Sequence, residues 1–245
     1  AHLRAAACRL RMDALMLTDH APHVEEVAFE AAFWAGEAGD EVVRNTAGDA
    51  IAARWACPDG RRVLVTVGSE NDLMPVGLLR HPVDPGDPVA LAAAYDDDGA
   101  AAADVFRAAG GLVFYAHTEG HSLEQIRTTA PDGIEIYNTH ANVDPNIREM
   151  ALGLPALGFL GLLSRFTVGG NGMEPDLSFL SFFSENENAL DKLDTLLAEG
   201  MHLTGTGGCD AHENTFPNLM PDGERGDSYR RMMRWHTHHV LVSST

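Results

Sequence analysis

Histidines and carboxylates follow the apolar, strand-like runs of this sequence at five separate places. They are Asp19 and His20 after the first run, Glu70 after the second, His117 and His121 after the third, His140 after the fourth, and Asp210 and His212 after the fifth. In parallel α/β folds the carboxyl ends of the strands lie on one side, where active sites assemble. Imidazole and carboxylate without thiolate suit Zn²⁺, Mn²⁺ or Fe²⁺ in a hydrolytic centre better than a structural cysteine site.

The elements that must position these residues alternate between strand and helix. The pattern predicts strands near 14–18, 112–117, 133–140, 202–212 and 238–244, and helices near 2–12, 25–39, 100–109, 122–130, from 144 and over 187–199. An antiparallel hairpin is expected near 50–68, with its turn at Pro58-Asp59-Gly60. Such alternation indicates a mostly parallel sheet, either open or closed as a barrel.

The length of 245 residues fits a single domain over 1–245. Residues 153–186 are rich in glycine and aromatic residues and have weak periodicity. Long irregular segments of this kind often cover a functional site. We therefore expect 153–186 to form a lid or excursion over one face.

The composition is strongly acidic, with 36 acidic and 17 basic residues and a formal net charge of −19. Such a surface repels nucleic-acid backbones and anionic lipid, so we expect no stable nucleic-acid complex. The longest apolar run, 151–163, is interrupted by proline and glycine and is too short to insert in a membrane. A small anionic partner is expected to bind such a surface only through metal ions.

The cysteines are three and widely spaced, without a C-x-x-C pair. This pattern predicts no disulfide and favours a reducing compartment, hence the cytoplasm. The opening stretch AHLRAAACRLR is polar, which argues against a signal peptide. It reads as the middle of a helix, so we expect that the true N-terminus is missing.

Five motifs together resemble one family. LTDHAPH, GSEND, VFYAHTEGH, GIEIYNTHAN and GCDAHEN are similar to the successive motifs of the PHP (polymerase and histidinol phosphatase) superfamily. The resemblance implies a distorted (β/α)7-type barrel with a centre of two or three divalent metal ions. It also implies hydrolysis of phosphomonoesters or phosphodiesters, and hence a small anionic, phosphorylated substrate, although some relatives cleave carboxyl esters or carbamates.

The resemblance assigns roles to individual residues. It implies that Glu70 bridges two metals, that His117 and His140 bind the second metal, that Asp210 binds the first, and that His20 and His212 bind the third. Asp19 lies beside a ligand and is expected to orient an imidazole. His121 is a candidate proton donor or substrate contact, with a solvated histidine as the alternative. Arg225 is a candidate contact for a substrate phosphate, although most such arginines lie on the surface.

The family's first motif, an H-x-H on the first strand, has no counterpart before the first helix. His236-Thr-His238 is the one H-x-H in the sequence, and it precedes its predicted strand instead of following it. We interpret it as structural or surface, at the wrong end of the strand for the site. Either the chain lacks the first barrel strand, or it is a degenerate, non-catalytic PHP domain that acts as a binding or regulatory module.

Other hydrolase classes fit less well. An amidohydrolase centre commonly uses a carboxylated lysine at a strand end, but the single lysine, Lys192, lies in a helix-like stretch. No G-x-S-x-G, P-loop or G-x-G-x-x-G motif is present. A proofreading nuclease is disfavoured by the acidic charge. The sequence therefore predicts a metal-dependent phosphoesterase.

Overall fold

The computed structural model describes residues 1–167 and 173–241. The α-helices are α1 (His2–Leu10), α2 (Ala21–Glu25), α3 (Pro88–Asp96), α4 (Ala100–Ala108), α5 (Leu123–Thr129), α6 (Thr139–Val143), α7 (Pro145–Met150), α8 (Leu160–Thr167), α9 (Glu187–Ala198) and α10 (Tyr229–Met233). The strands are β1 (Ala14–Leu17), β2 (Glu41–Arg44), β3 (Ala50–Ala56), β4 (Arg62–Val67), β5 (Leu73–Val76), β6 (Leu112–Tyr115), β7 (Gly133–Asn138) and β8 (Thr204–Gly208). Short 3-10 helices span Phe29–Phe33, Thr118–Gly120 and Pro175–Ser181. Within the described ranges, no helix has the length and apolar character needed to cross a membrane.

The first sheet has four strands in the order β1-β4-β3-β2. β1 pairs with β4 in parallel, while β2 with β3 and β3 with β4 are antiparallel. The hairpin expected near 50–68 is present, with β3 and β4 on either side of Pro58-Asp59-Gly60. Asp59 accepts the Arg61 backbone N–H, which helps to close this turn.

The second sheet also has four strands, in the order β5-β6-β7-β8. β5 is antiparallel to β6, and the β6–β7 and β7–β8 pairs are parallel. The parallel half arises because α5 connects β6 to β7 and a longer connection that ends in α9 joins β7 to β8. The carboxyl ends of β6, β7 and β8 therefore lie at the same side of the sheet.

The predicted distorted (β/α)7-type barrel is wrong. The described chain forms two small mixed sheets of four strands each, and they do not close into a barrel. The physical reason lies in the β2-β3-β4 meander, which pairs antiparallel and does not return the chain through a helix after each strand. A barrel of parallel strands needs a crossover connection at every step.

Two isolated backbone bridges extend the pairing at the strand ends. His20 bridges Glu70 in parallel, which continues the β1–β4 pairing beyond both strands, and Val67 bridges Leu78 antiparallel. The Glu70 backbone N–H donates to the Asp19 carbonyl at 2.9 Å. Glu70, which lies between β4 and β5 in the chain, is thereby paired with the residues that follow β1.

The helix predicted over 25–39 is not formed as one element. The chain instead makes α2 and the 3-10 helix Phe29–Phe33, which ends at Trp34 in a left-handed conformation with φ of 52°. Phe33 is fully buried, and its carbonyl accepts a hydrogen bond from the Trp55 indole at 2.9 Å. Packing against the first sheet has overridden the local helical preference.

Other local predictions also need correction. β2, β5 and α3 were not predicted. The strand predicted over 238–244 is not observed over 238–241, which are coil, and its remainder lies outside the described residues.

A disulfide between Cys8 and Cys57 joins α1 to the end of β3. The prediction that the cysteines are unpaired is therefore wrong, and the reasoning from cysteines to a reducing compartment no longer holds. Cys209 has no disulfide partner. Both bridged cysteines are buried in the main core, beside Trp55 and Val63. The bond fixes the N-terminal helix against the first sheet.

A second, smaller core lies beneath the region predicted to be a lid. Phe159, Phe179, Phe182 and Met232 are buried together. The segment 153–186 thus packs through its aromatic residues on the C-terminal helix α10. Residues 168–172 of that segment lie outside the described residues, and its role as a lid stays a prediction.

Candidate metal centre

Four of the predicted ligands meet as two imidazole–carboxylate pairs. The first pair is His117 and Glu70, with 3.4 Å between Nε2 and Oε1. The second pair is His140 and Asp210, with 3.4 Å between Nδ1 and Oδ2. Each residue follows the carboxyl end of its strand, namely β6, β4, β7 and β8 in this order. This is the placement expected for residues that follow strand ends and share one site.

The two pairs belong to one cluster. The rings of His117 and His140 lie edge to face, with 5.5 Å between their centroids. The second carboxylate oxygen of Asp210 lies 3.4 Å from Nε2 of His212. We call Glu70, His117, His140, Asp210 and His212 the strand-end cluster. Its contacts run from Glu70 through the two adjacent imidazoles of His117 and His140 to Asp210 and then to His212.

Two members of the cluster have unusual backbone conformations. His117 has φ of 49° and Asp210 has φ of 43°, both in the left-handed region that non-glycine residues rarely adopt. The other described non-glycine residues with positive φ, Arg11, Trp34 and Ala130, terminate helices. Left-handed residues that follow strands are typical of functional sites, where surrounding contacts hold the strain.

A buried carboxylate supports the cluster from below. Glu135 on β7 accepts the backbone N–H of His117 at 3.0 Å and the Asn138 side chain at 3.0 Å. The Asn138 side-chain oxygen in turn accepts the His140 backbone N–H at 2.7 Å. Burial raises the pKa of Glu135 to about 7, against the opposing effect of these hydrogen bonds. Glu135 thus ties the His117 turn to the start of α6.

Glu119 contacts His117 from the side opposite Glu70. Its Oε1 lies 3.4 Å from the His117 Nδ1, and its side chain is only 7% exposed. The adjacent carboxylates, Glu119 first and Glu70 second, raise the pKa of His117 to about 10. In the absence of cations the imidazole is therefore held as a charged partner of two carboxylates.

Sequence reasoning missed both Glu119 and Glu135. The signal for Glu135 was present, since an acidic residue interrupts the apolar strand GIEIYN. A charged residue that points into a buried sheet position needs a specific partner. Glu119 gave a weaker signal, because a carboxylate two residues after a histidine is common in turns.

Two predicted residues lie at the edge of the cluster. His20 is connected to Glu70 through backbone pairing, and its side chain is exposed. The Asp19 carboxylate is half-exposed and lies 3.9 Å from Nδ1 of His23. The structure therefore brings the backbone of this stretch to Glu70, while the Asp19 side chain contacts a different imidazole from those of the cluster.

His121 and Arg225 make contacts away from the cluster. The buried His121 ring packs on Tyr115 at 4.3 Å between centroids, and burial lowers its pKa. Arg225 donates to the fully buried Asp227 at 2.8 Å and to the Glu213 carbonyl at 2.7 Å. Both side chains have structural partners, which weakens the case for His121 as proton donor and Arg225 as phosphate ligand.

The H-x-H sequence lies closer to the site than predicted. The Gly207 N–H donates to Nε2 of His238 at 3.2 Å, and the His236 ring lies 4.4 Å from the Tyr137 ring. Gly207 and Tyr137 stand near the carboxyl ends of β8 and β7. The prediction that this H-x-H lies at the wrong end of a strand for the site is therefore wrong. The interpretation of these histidines as structural residues fits their contacts.

The donors of the strand-end cluster fit divalent cations by type. Imidazole nitrogens and carboxylate oxygens are ordinary ligands of Zn²⁺, Mn²⁺ and Fe²⁺. One observation points to a missing ligand, because Nδ1 of His212 is buried without a hydrogen-bond partner among the described residues. Buried polar atoms are rarely left unpaired. His212 thus has one ring nitrogen, Nδ1, available to bind a cation while Nε2 contacts Asp210.

A different cluster has the tighter arrangement of acidic atoms. In the described ranges, Asp176, Asp222 and Glu224 place one oxygen each within 4.8 Å of one another. Three arginines, Arg230, Arg231 and Arg234, form ion pairs with this acidic group. Because these guanidinium groups already neutralise the carboxylates and would repel a cation, we interpret the group as a structural ion-pair network.

Comparisons of the chain with models of protein families, with curated proteins and with solved structures each give no match.

Proposed function

We propose that the chain is a metal-dependent hydrolase that acts on a phosphomonoester or phosphodiester, with two or three Zn²⁺, Mn²⁺ or Fe²⁺ ions at the strand-end cluster. The observation that carries this proposal is the contact chain Glu70–His117–His140–Asp210–His212, assembled from four strand ends. The PHP resemblance supports it through the same residues. The proposal rests on these ligands and not on the barrel, which the chain does not form.

The cluster offers two places for a cation. One lies between Glu70 and His117, and the other beside Asp210, which has an imidazole near each of its carboxylate oxygens. Divalent cations bound there would supply Lewis acidity and hydroxide at neutral pH for attack on the ester. The protein's part is to hold these donors at fixed positions, and the left-handed backbone at His117 and Asp210 contributes to this.

Charge supports an anionic substrate only together with cations. The chain has a formal net charge of −19, and the cluster itself contains Glu70 and Asp210, with Glu119 and Glu135 beside them. A phosphate group would be repelled from such a site without bound metal. The carboxyl-ester and carbamate substrates of PHP relatives, whose reacting groups are uncharged, depend less on this charge neutralisation.

A non-catalytic module is the second candidate. The observation in its favour is that Arg225, the proposed phosphate contact, is occupied by Asp227 and Glu213. In this alternative the strand-end cluster would bind a cation for stability or regulation without turning over a substrate. Metal binding is common to both candidates, and hydrolysis separates them.

The experiment combines metal analysis with an activity assay. The purified protein is analysed for Zn, Mn and Fe, then assayed with p-nitrophenyl phosphate and bis(p-nitrophenyl) phosphate. His117→Ala and His140→Ala should lose both metal and activity. His202→Ala, an exposed histidine outside the cluster, is the matched control and should keep both. Metal binding without hydrolysis would favour the module, and absence of metal binding would refute both candidates.

A further inference from the structure

We propose that Glu119 is a positioning residue that fixes the ring of His117 so that its Nε2 faces the strand-end cluster. The geometry is a carboxylate on each side of one ring, with Glu119 Oε1 3.4 Å from Nδ1 and Glu70 Oε1 3.4 Å from Nε2. With the Nδ1 proton directed to Glu119, the Nε2 lone pair is free for a cation. The role of Nε2 rests on the proposed function, whereas the orientation of the ring does not.

Glu119 is itself held in place by helix α9. Its other oxygen, Oε2, accepts a hydrogen bond from the Asn186 side chain at 3.3 Å. Lys192, the only lysine of the chain, donates to the carbonyls of Thr118 at 2.8 Å and of Glu119 at 3.4 Å. A carboxylate that is almost fully buried needs such partners to remain charged. Helix α9 therefore clamps the turn from which Glu119 reaches the ring.

The backbone explains why a residue two positions later can contact the same imidazole. His117 is left-handed, with φ and ψ both 49°, and the 3-10 turn Thr118–Gly120 follows directly. This folds the chain back so that the side chain of Glu119 meets the ring of His117. The left-handed backbone at His117 and the contacts from α9 thus both place Glu119 against the His117 ring. A solvent-exposed carboxylate in a turn would require neither.

The test uses Glu119→Ala and Glu119→Gln, with Glu124→Gln as control. Glu124 lies on the neighbouring helix α5, is 83% exposed and pairs with Arg127 at 3.8 Å. Two properties are measured on the full chain: Zn²⁺ affinity by calorimetry, and the His117 Nδ1 proton by NMR, assigned with His117→Ala. A merely structural role for Glu119 would change the melting temperature without removing that proton signal.

We expect a slowly exchanging His117 Nδ1 proton in the wild type and in Glu124→Gln, and its loss in Glu119→Ala. Zn²⁺ affinity should fall about 10- to 100-fold in Glu119→Ala, the range found for outer partners of metal-binding histidines. Glu119→Gln retains an acceptor oxygen and should lie between the two. If Glu119→Ala does not fold, Glu119→Gln supplies the same two measurements.

The inference and the proposed function are refuted by different results. A protected proton and unchanged Zn²⁺ affinity in the Glu119 variants would overturn the inference. Failure of the wild type to bind Zn²⁺ would refute the proposed function, and the NMR signal alone would then decide whether Glu119 holds the ring.

Discussion

The His117 imidazole and the Glu70 carboxylate come from different sheets and approach to 3.4 Å. Glu70 leaves β4 of the first sheet, and His117 leaves β6 of the second. Their contact therefore connects two sheets that are not closed into one barrel. A cation between them would stabilise this junction as well as supply chemistry, which links metal binding to folding stability.

If the proposed hydrolysis takes place at the strand-end cluster, removing the Glu70 carboxylate should abolish most of it. Glu70→Gln keeps the side-chain size and removes the charge that a cation needs. Because outer partners of metal ligands alone contribute 10- to 100-fold, we expect kcat/KM to fall by at least about 100-fold. Glu30→Gln, which breaks an exposed ion pair with Arg44, should remain at wild-type activity. Wild-type rates in Glu70→Gln would exclude it as a ligand.

Metal binding should raise the melting temperature. At a free metal concentration of about 100 times Kd, the added stability is roughly 2.7 kcal/mol. Differential scanning calorimetry with Zn²⁺ or Mn²⁺, and again after a chelator, measures this change. His140→Ala should reduce the response and His202→Ala should not. The same melting temperature with and without metal would contradict binding to the folded state.

The Cys8–Cys57 disulfide should contribute measurably to stability. The bond closes a loop with a sequence separation of 49 residues. The chain-entropy treatment gives about 4 kcal/mol for such a loop, although measured values are often lower. Urea unfolding with and without dithiothreitol should show a clear loss in the wild type. A Cys8→Ala/Cys57→Ala variant is the control, because its midpoint should not respond to the reductant.

The ion-pair network around Asp176 should make the protein sensitive to acid. Its arginine partners, with Arg230 the main contributor, lower the Asp176 pKa to about 2, from 3.8. A depressed folded-state pKa stabilises the protein above the unfolded value, and this stability is lost as the pH falls from about 4 to about 2. The shift corresponds to about 2 kcal/mol.

Asp176→Asn tests that dependence. Arg231 is fully buried but keeps Asp222 as a second carboxylate partner, so removing the Asp176 charge should cost about 2 kcal/mol at pH 7, in line with the pKa shift. Urea midpoints of the variant should also vary less between pH 4 and pH 2 than those of the wild type. Equal pH dependence in both proteins would show that other carboxylates control acid unfolding.

Gly208 should not tolerate a side chain. A Cβ at this position would overlap Oε1 of Glu135, the carboxylate that supports His117. Gly208→Ala should therefore displace Glu135 and weaken metal binding. Gly161→Ala is the control, since nothing lies within 4 Å of its added Cβ and alanine favours its helix. Unchanged Zn²⁺ affinity in Gly208→Ala would show that Glu135 does not support the site.

The strands that carry the cluster could be predicted because their signals are local. β6, β7 and β8 are short runs with β-forming residues or glycine, bounded by turn residues, and a ligand follows each one. Parallel strands place their carboxyl ends together, so the proximity of His117, His140 and Asp210 followed from the pattern. Glu119 could not be found in this way, because its role depends on the clamp by α9.

The division of the strands into two open sheets depends on long-range packing, and so does the disulfide. The antiparallel β2-β3 pairing ends the first sheet, and β2 gave no recognisable strand signal in the sequence. Cys8 and Cys57 meet because α1 packs against the first sheet, a relationship that spacing alone does not contain. Odd cysteine counts predict a free thiol but not which cysteine remains free.

The location of bound metal tests the central claim most directly. Crystals grown with Zn²⁺ or Mn²⁺ and measured at the absorption edge of each metal would reveal the cation positions as anomalous peaks. We predict peaks between Glu70 and His117 and beside Asp210, within bonding distance of His140 or His212. Peaks only at Asp176, Asp222 and Glu224, or none at the strand-end cluster, would contradict the assignment of this cluster as the metal centre.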